Sequence, residues 1–218
     1  MSFEVIVFDC DGTLVDSGAM ILAAMADAFE GSGLTAPAPA AVRQVIGLSL
    51  DEAVRALGPE LAPDVQAALA RRYRVAFSAL RADARFDEPL FAGIAELLAE
   101  LDAGGRRLAI ATGKSRRGVD HLLVKHGLDR RFVSVQTADG NPSKPHPEML
   151  RRAVAEAGGT VEAACMIGDT TFDMEMAELA GVAAIGVGWG YHGPAQLTAA
   201  GARAVAADAA ALGRLLAP

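Results

Sequence analysis

The chain reads as an α/β protein built on a doubly wound, mostly parallel sheet, and three observations carry that reading. Six short apolar runs recur along its 218 residues. Amphipathic stretches of helical length separate most of them, and several close on glycine, as helices often do. Polar clusters follow four of the runs directly, where an open parallel sheet presents its ligand-binding strand ends.

In order, "EVIVF" (4–8) is the first strand. From Asp16 to Arg85 no strand is expected, only the helical segments "AMILAAMADAFEGSG", "APAAVRQVIG", "LDEAVRALG" and "DVQAALARRYRVAFSALRA". The breaks "APAP" and "GPELAP" punctuate these helices. The region is therefore a helical insert between the first strand and the rest of the sheet. Beyond it, "GIAELLAELDAGG" leads to the strand "RLAIAT", "GVDHLLVKHGL" to "VSVQT", and "PEMLRRAVAEAGG" to "ACMIGD". "DMEMAELAG" then leads to "AAIGVG", and "ARAVAA" is the last strand of an alanine-rich final stretch.

Composition bounds the function. Hydrophobic residues make up 52% and charged ones 22%, enough for a sizeable core. A net charge of −7, with no basic cluster exceeding three residues in a row, argues against nucleic-acid binding. The chain lacks an 18-residue apolar run, so no membrane span is expected. The start "MSFEVIVFDCDG" has no secretory pattern, and Cys10 and Cys165 read as buried free thiols, so the expected compartment is cytoplasmic.

The polar clusters are Asp9 and Asp11 after "VIVF", Thr112-Gly113-Lys114 after "LAIA", Lys144 after "VSVQTADGNPS", and Gly168-Asp169 with Asp173 after "ACMI". Converging carboxylates repel one another unless a cation compensates, and oxygen ligands suit magnesium. Lys144 and the Thr112 hydroxyl suit phosphoryl oxygens, facing a carboxylate nucleophile. Other phosphate chemistries fail on spacing. "TGKS" has Leu108 where a P-loop needs glycine, and a cysteine-phosphatase loop would need arginine where Asp16 or Thr171 stands. "GVGWGYHG" lacks dinucleotide-binding spacing and is read as a loop with no helix opening there. No histidine pair has zinc-ligand spacing.

"DCDGTLVDS", "ATGKS", "SKPHPEML" and "GDTTFD", in this order, resemble the four motifs of the haloacid dehalogenase (HAD) superfamily. "VIGLSLDEAV" and "GVGWGYHG" are similar to its phosphoglycolate phosphatase-like branch. The resemblance implies a Rossmann-like core over residues 1–15 and 86–218, with the helical insert at 16–85 as a cap domain. It implies Asp9 as nucleophile, Asp11 as general acid and base, and Thr112, Gly113 and Lys144 as phosphate ligands. It implies magnesium held by Asp9, the Asp11 carbonyl and Asp169, with Asp173 and Gly12 in support. Leu48 and Ser49, beside Gly47, are candidate specificity residues.

The implied activity is magnesium-dependent hydrolysis of a small soluble phosphomonoester, phosphoglycolate first, through an aspartyl-phosphate. The expected assembly is a monomer or homodimer. Alternatives are a phosphosugar mutase, an inorganic pyrophosphatase or an inert binding module. Ile21 and Leu50 stand where mutases of this build carry histidine and arginine. A Schiff-base phosphonate hydrolase is excluded because the three lysines (Lys114, Lys125, Lys144) all lie outside the insert. Asp16 and Ser17 are read as hinge or helix cap, Thr13 as a turn residue, and Asp139 as a loop residue. Arg71, Arg72 and Arg74 are read as a solvated face, with a substrate clamp as the alternative. His121 and His126 are expected on a helix, while His146, beside Lys144, and His192, in the glycine-rich loop, could each line the site.

Overall fold

A computed structural model describes residues 3–83 and 85–217. Its six strands are β1 (Val5–Phe8), β2 (Arg107–Thr112), β3 (Phe132–Thr137), β4 (Ala164–Gly168), β5 (Ala183–Val187) and β6 (Ala204–Ala206). They pair in parallel in the order β3-β2-β1-β4-β5-β6. The chain thus winds outward from β1 to β3, then returns to β4 on the other side of β1. That reversal opens a crevice beyond the carboxyl ends of β1 and its neighbours.

Strand alternation decides what each face buries. On β1, Ile6 and Phe8 enter one apolar cluster with Leu108 and Ile110 of β2, while Val5 and Val7 enter the opposite one with Ala109 and Ala111. Helices α5 (Ile94–Ala103), α6 (Arg116–Lys125) and α10 (Ala209–Leu216) cover the first face. Helices α7 (Glu148–Glu156), α8 (Thr171–Ala180) and α9 (Pro194–Ala199) cover the second. Because both faces are covered, the strands are nearly continuous apolar runs, as parallel strands must be.

Between β1 and α5 lie α1 (Gly18–Glu30), α2 (Pro39–Val45), α3 (Leu50–Leu57) and α4 (Pro63–Leu80). They close around their own core, with Met20, Met25 and Phe29 of α1 facing Leu69 and Phe77 of α4. Among the described residues no helix is long and apolar enough to cross a membrane.

The structure departs from the sequence reading at the C-terminal end. Helix α9 opens on Pro194 directly after "GVGWGYHG", where no helix was expected, and α10 occupies the alanine-rich tail. Proline at the first helical position carries no amide hydrogen to leave unpaired. The Gln196 side chain accepts from the Gly193 amide at 2.9 Å, closing the helix start.

Leu98 of α5 is fully buried in the first-face core. Leu98→Ala is expected to cost about 2–5 kcal/mol through lost burial and the cavity left behind. Denaturant unfolding at constant m-value measures it.

Candidate active site

The site begins where β1 runs out. The Asp9 amide donates to the Ile167 carbonyl at 2.9 Å, carrying the ladder one residue beyond β1. Alternation then turns Cys10 into the core beside Phe8 and leaves Asp9 and Asp11 on the other parity. Next the chain folds back on itself: the Cys10 carbonyl accepts from Leu14 at 2.8 Å, and the Gly12 amide donates to Val15 at 2.9 Å. Gly12 holds φ at +87°, and a Cβ there would lie 2.2 Å from Asp169 Oδ2. Glycine is required both for the backbone angle and for the approach.

Asp169, just past β4, is fully buried and held on both oxygens. The Thr13 hydroxyl donates to Oδ1 and the Tyr191 amide to Oδ2, each at 2.9 Å. Asp173, in the first turn of α8, is held likewise. Its Oδ2 accepts from the Thr170 amide at 3.0 Å and hydroxyl at 2.7 Å, and its Oδ1 from Lys144 Nζ at 2.6 Å. The buried Lys144 ammonium also stands 2.9 Å from Asp9 Oδ1.

Asp9 itself is different. It is buried, yet neither of its carboxylate oxygens accepts a hydrogen bond. One oxygen each from Asp9, Asp169 and Asp173 lie within 4.8 Å of one another. One ammonium among three carboxylates leaves this buried centre short of positive charge. The carboxyls respond: burial, opposed by Lys144 and reinforced by the Asp173 charge, pushes Asp9 up to about 6. Burial, then the charges of Asp173 and Asp9, push Asp169 well above the usual carboxylate range. All-oxygen donors in an anionic cluster, two of them without a hydrogen bond, fit a hard divalent cation.

Thr112 ends β2 with its buried hydroxyl accepting from the Lys114 amide at 3.3 Å. Gly113 is the close approach between core and insert: a Cβ there would lie 2.5 Å from the carbonyl oxygens of Gly47 and Leu48. The Ser49 amide donates to Ser143 Oγ at 2.8 Å, so the 47–49 loop also meets the loop that carries Lys144. Above these residues lies a cavity of about 560 Å³, with Asp9, Asp11 and Thr112 below and Leu48, Ser49 and Phe77 among the insert residues lining it.

Asp11 Oδ1 accepts from the Ser17 hydroxyl at 2.6 Å and from Lys114 Nζ at 2.7 Å. This corrects the reading of Ser17 as a helix cap: it stands at the N-cap of α1, but its side chain makes no capping hydrogen bond. The capping-type contact comes from Asp16, whose Oδ1 accepts from the Gly18 amide at 3.3 Å. Asp139 is not a plain loop residue either. It lies in a short 3₁₀ turn and accepts from the Arg116 amide at 2.6 Å, at the start of α6.

The exposed His146 accepts from the Glu148 amide at 3.3 Å, whereas His192 is buried and accepts from the Thr171 amide at 3.0 Å; neither lines the cavity. Arg71 and Arg72 are exposed, but Arg74 sits at the cavity wall, 3.2 Å from Asp51. The sequence reading assigned no role to Lys114 or to Glu88, whose Oε1 lies 2.8 Å from Lys114 Nζ. A lysine next to a motif glycine carried no signal of burial, and Glu88 carried none at all.

The family model described as "Haloacid dehalogenase-like hydrolase" matches residues 6–187. A protein named probable phosphatase IndB, from Dickeya dadantii, is 39% identical over 203 residues, covering 89% of this chain and 85% of its own. A protein named phosphoglycolate phosphatase, from Nitrosococcus oceani, is 32% identical over 192 residues, covering 87% and 85%. A solved structure described as a putative haloacid dehalogenase-like hydrolase from Bacteroides fragilis superposes with a TM-score of 0.88. It is 26% identical and covers 98% of this chain and 100% of that one.

Two outcomes are expected from the geometry. Gly12→Ala should destabilise the fold by about 1–3 kcal/mol, from a left-handed angle and a clash with Asp169, and remove most hydrolysis; calorimetry and phosphate release measure these. The second concerns metal-free protein. With its carboxyl raised to about 6 from 3.8, folded Asp9 holds an extra proton between those values, so stability falls as pH rises from about 4 to about 6 and stays lowered above. Asp9→Asn should therefore unfold at a higher temperature than wild type at pH 8 in chelator, with the gap closing near pH 4.

Proposed function

The chain belongs to the haloacid dehalogenase-like hydrolases and is a phosphatase among them, and from that premise we propose that it hydrolyses a small phosphomonoester through an aspartyl-phosphate on Asp9. The observation that carries the proposal is the pair of buried Asp9 oxygens without hydrogen bonds. A buried carboxylate held by an ion pair alone, with no hydrogen bond on either oxygen, is a nucleophile kept ready.

In the first half, an Asp9 oxygen attacks phosphorus as the bond from phosphorus to the ester oxygen breaks. Asp11 gives its proton to the departing alkoxide. Lys144 and the Thr112 hydroxyl hold the phosphoryl oxygens, with the Gly113 amide beside them, while Asp173 keeps Lys144 in place. In the second half, Asp11 takes a proton from water as that water attacks phosphorus, releasing phosphate and restoring Asp9. Magnesium, held by Asp9, the Asp11 main-chain carbonyl and Asp169, would neutralise the phosphoryl charge when bound.

Residues 16–85 form a cap over a core of 1–15 and 86–218 in this reading. Closure over the cavity would exclude bulk water, and Leu48 and Ser49 would meet the leaving group. Phosphoglycolate is the first substrate to try, on the likeness to the Nitrosococcus protein.

Phosphate release from phosphoglycolate, pyrophosphate and sugar phosphates, with magnesium and with chelator, tests the reading. Turnover is expected with magnesium only, and Asp9→Asn should lower kcat by at least about a thousandfold. A folded Asp9→Asn protein that kept its turnover would refute the aspartyl-phosphate.

A further inference from the structure

Lys114 is one of only three lysines in the chain, and it is buried, its side chain 6% exposed. Its ammonium lies between Asp11 Oδ1 at 2.7 Å and Glu88 Oε1 at 2.8 Å, and 5.2 Å from the centre of the Phe77 ring of α4. Glu88 is 2% exposed, and its other carboxylate oxygen faces Arg81 Nε at 3.3 Å, just past the end of α4. The network thus runs from the end of β2, through Asp11, to the last turn of the insert.

The mechanism above gives Lys114 no part. Two of its three donors are taken by carboxylates and the Phe77 ring lies against it, so the ammonium is committed first to Asp11 and Glu88. Fold stability alone is a weak reason for such a group, because well-packed apolar side chains often serve a buried site as well as an ion pair does. Its effect on Asp11 is specific. Two donors, Lys114 Nζ and Ser17 Oγ, converge on the single oxygen Oδ1 and fix the plane of the carboxyl. Among the described residues no hydrogen bond engages Oδ2, and Asp11 lines the cavity. Oδ2 is therefore the oxygen presented to a substrate.

We propose that Lys114, held in place by Glu88, is a positioning residue that fixes the Asp11 carboxyl so that Oδ2 meets the leaving-group oxygen. The inference rests on the reading of Asp11 as proton donor. As the bond from phosphorus to oxygen breaks, the Oδ2 proton passes to the departing alkoxide; in the second half a water proton returns to Oδ2. Misplacement of a catalytic group by a fraction of its reach is costly, so the ammonium matters without touching substrate.

Leaving-group dependence distinguishes this role from a structural one. p-Nitrophenolate departs without a proton, whereas the alkoxide of ethyl phosphate does not. In single-turnover experiments with magnesium, Lys114→Met should slow alcohol release from ethyl phosphate about a hundredfold and p-nitrophenolate release less than about fivefold. Lys114→Arg should recover part of the loss, and Glu88→Gln should reproduce the same selectivity more weakly. Glu88→Gln keeps shape and hydrogen bonding, so it carries the comparison should Lys114→Met fail to fold. Equal losses on both esters in a folded variant would overturn the proposal. So would a loss confined to the KM for phosphoglycolate, which would make Lys114 an anchor for the substrate carboxylate. Retained turnover in Asp9→Asn would instead refute the parent reading, leaving the two failures distinguishable.

Discussion

Everything in the site answers to one constraint: three carboxylates and one ammonium are buried together at the ends of parallel strands. Asp169 and Asp173 tolerate this because threonine hydroxyls, backbone amides and Lys144 satisfy their oxygens. Asp9 is left with an ion pair and no hydrogen bond. Burying charge that is incompletely paired costs free energy, and folds keep such an arrangement where chemistry or a cation compensates for it. The surrounding geometry follows. The turn at Gly12 brings the backbone against Asp169, and Gly190 on the other side leaves no room for a Cβ, which would lie 2.3 Å from Asp169.

The core supplies the rigidity that this needs. β1 is flanked by β2 and β4, and both faces are covered, so Asp9, Thr112 and Asp169 leave neighbouring strands in fixed register. Strand alternation also explains why the two acids are separated by one residue. Cys10 sits in the apolar cluster with Ile6 and Phe8, which leaves Asp9 and Asp11 sharing the other parity. Directly adjacent acids would have buried one of them among leucines and isoleucines.

This is also why so much could be read from the sequence. Parallel strands buried on both faces are short apolar runs, and the rule that ligands bind beyond their carboxyl ends placed Asp9, Thr112, Lys144 and Asp169 in one crevice. Information was lost where a residue's partner lies far along the chain. Ser17 looked like a cap because a serine before a helix usually is one, and only the fold carries it to Asp11. Glu88 carries no sequence signal, and only the closing of insert and core around it buries it. Helix α9 was hidden by a glycine-rich approach that reads as loop, although Pro194 marked its start.

The two buried lysines give the neighbouring acids Asp9 and Asp11 separate counter-charges. Lys144 stands between Asp9 and Asp173, on the side where phosphate would lie; Lys114 stands between Asp11 and Glu88, on the side of the insert. For Lys114, burial works against the charge, yet the Asp11 and Glu88 carboxylates outweigh it and push its pKa up. The same balance, with Asp173 and Asp9, raises Lys144. Both therefore stay cationic at neutral pH, and each acid has its own fixed counter-charge. A single shared lysine would have coupled Asp9 to Asp11, so that placing one displaced the other. With one ammonium for each, Asp9 can keep both oxygens free of hydrogen bonds while Asp11 is held by one oxygen. The independence of the two carboxylates is thus built into which lysine each one meets.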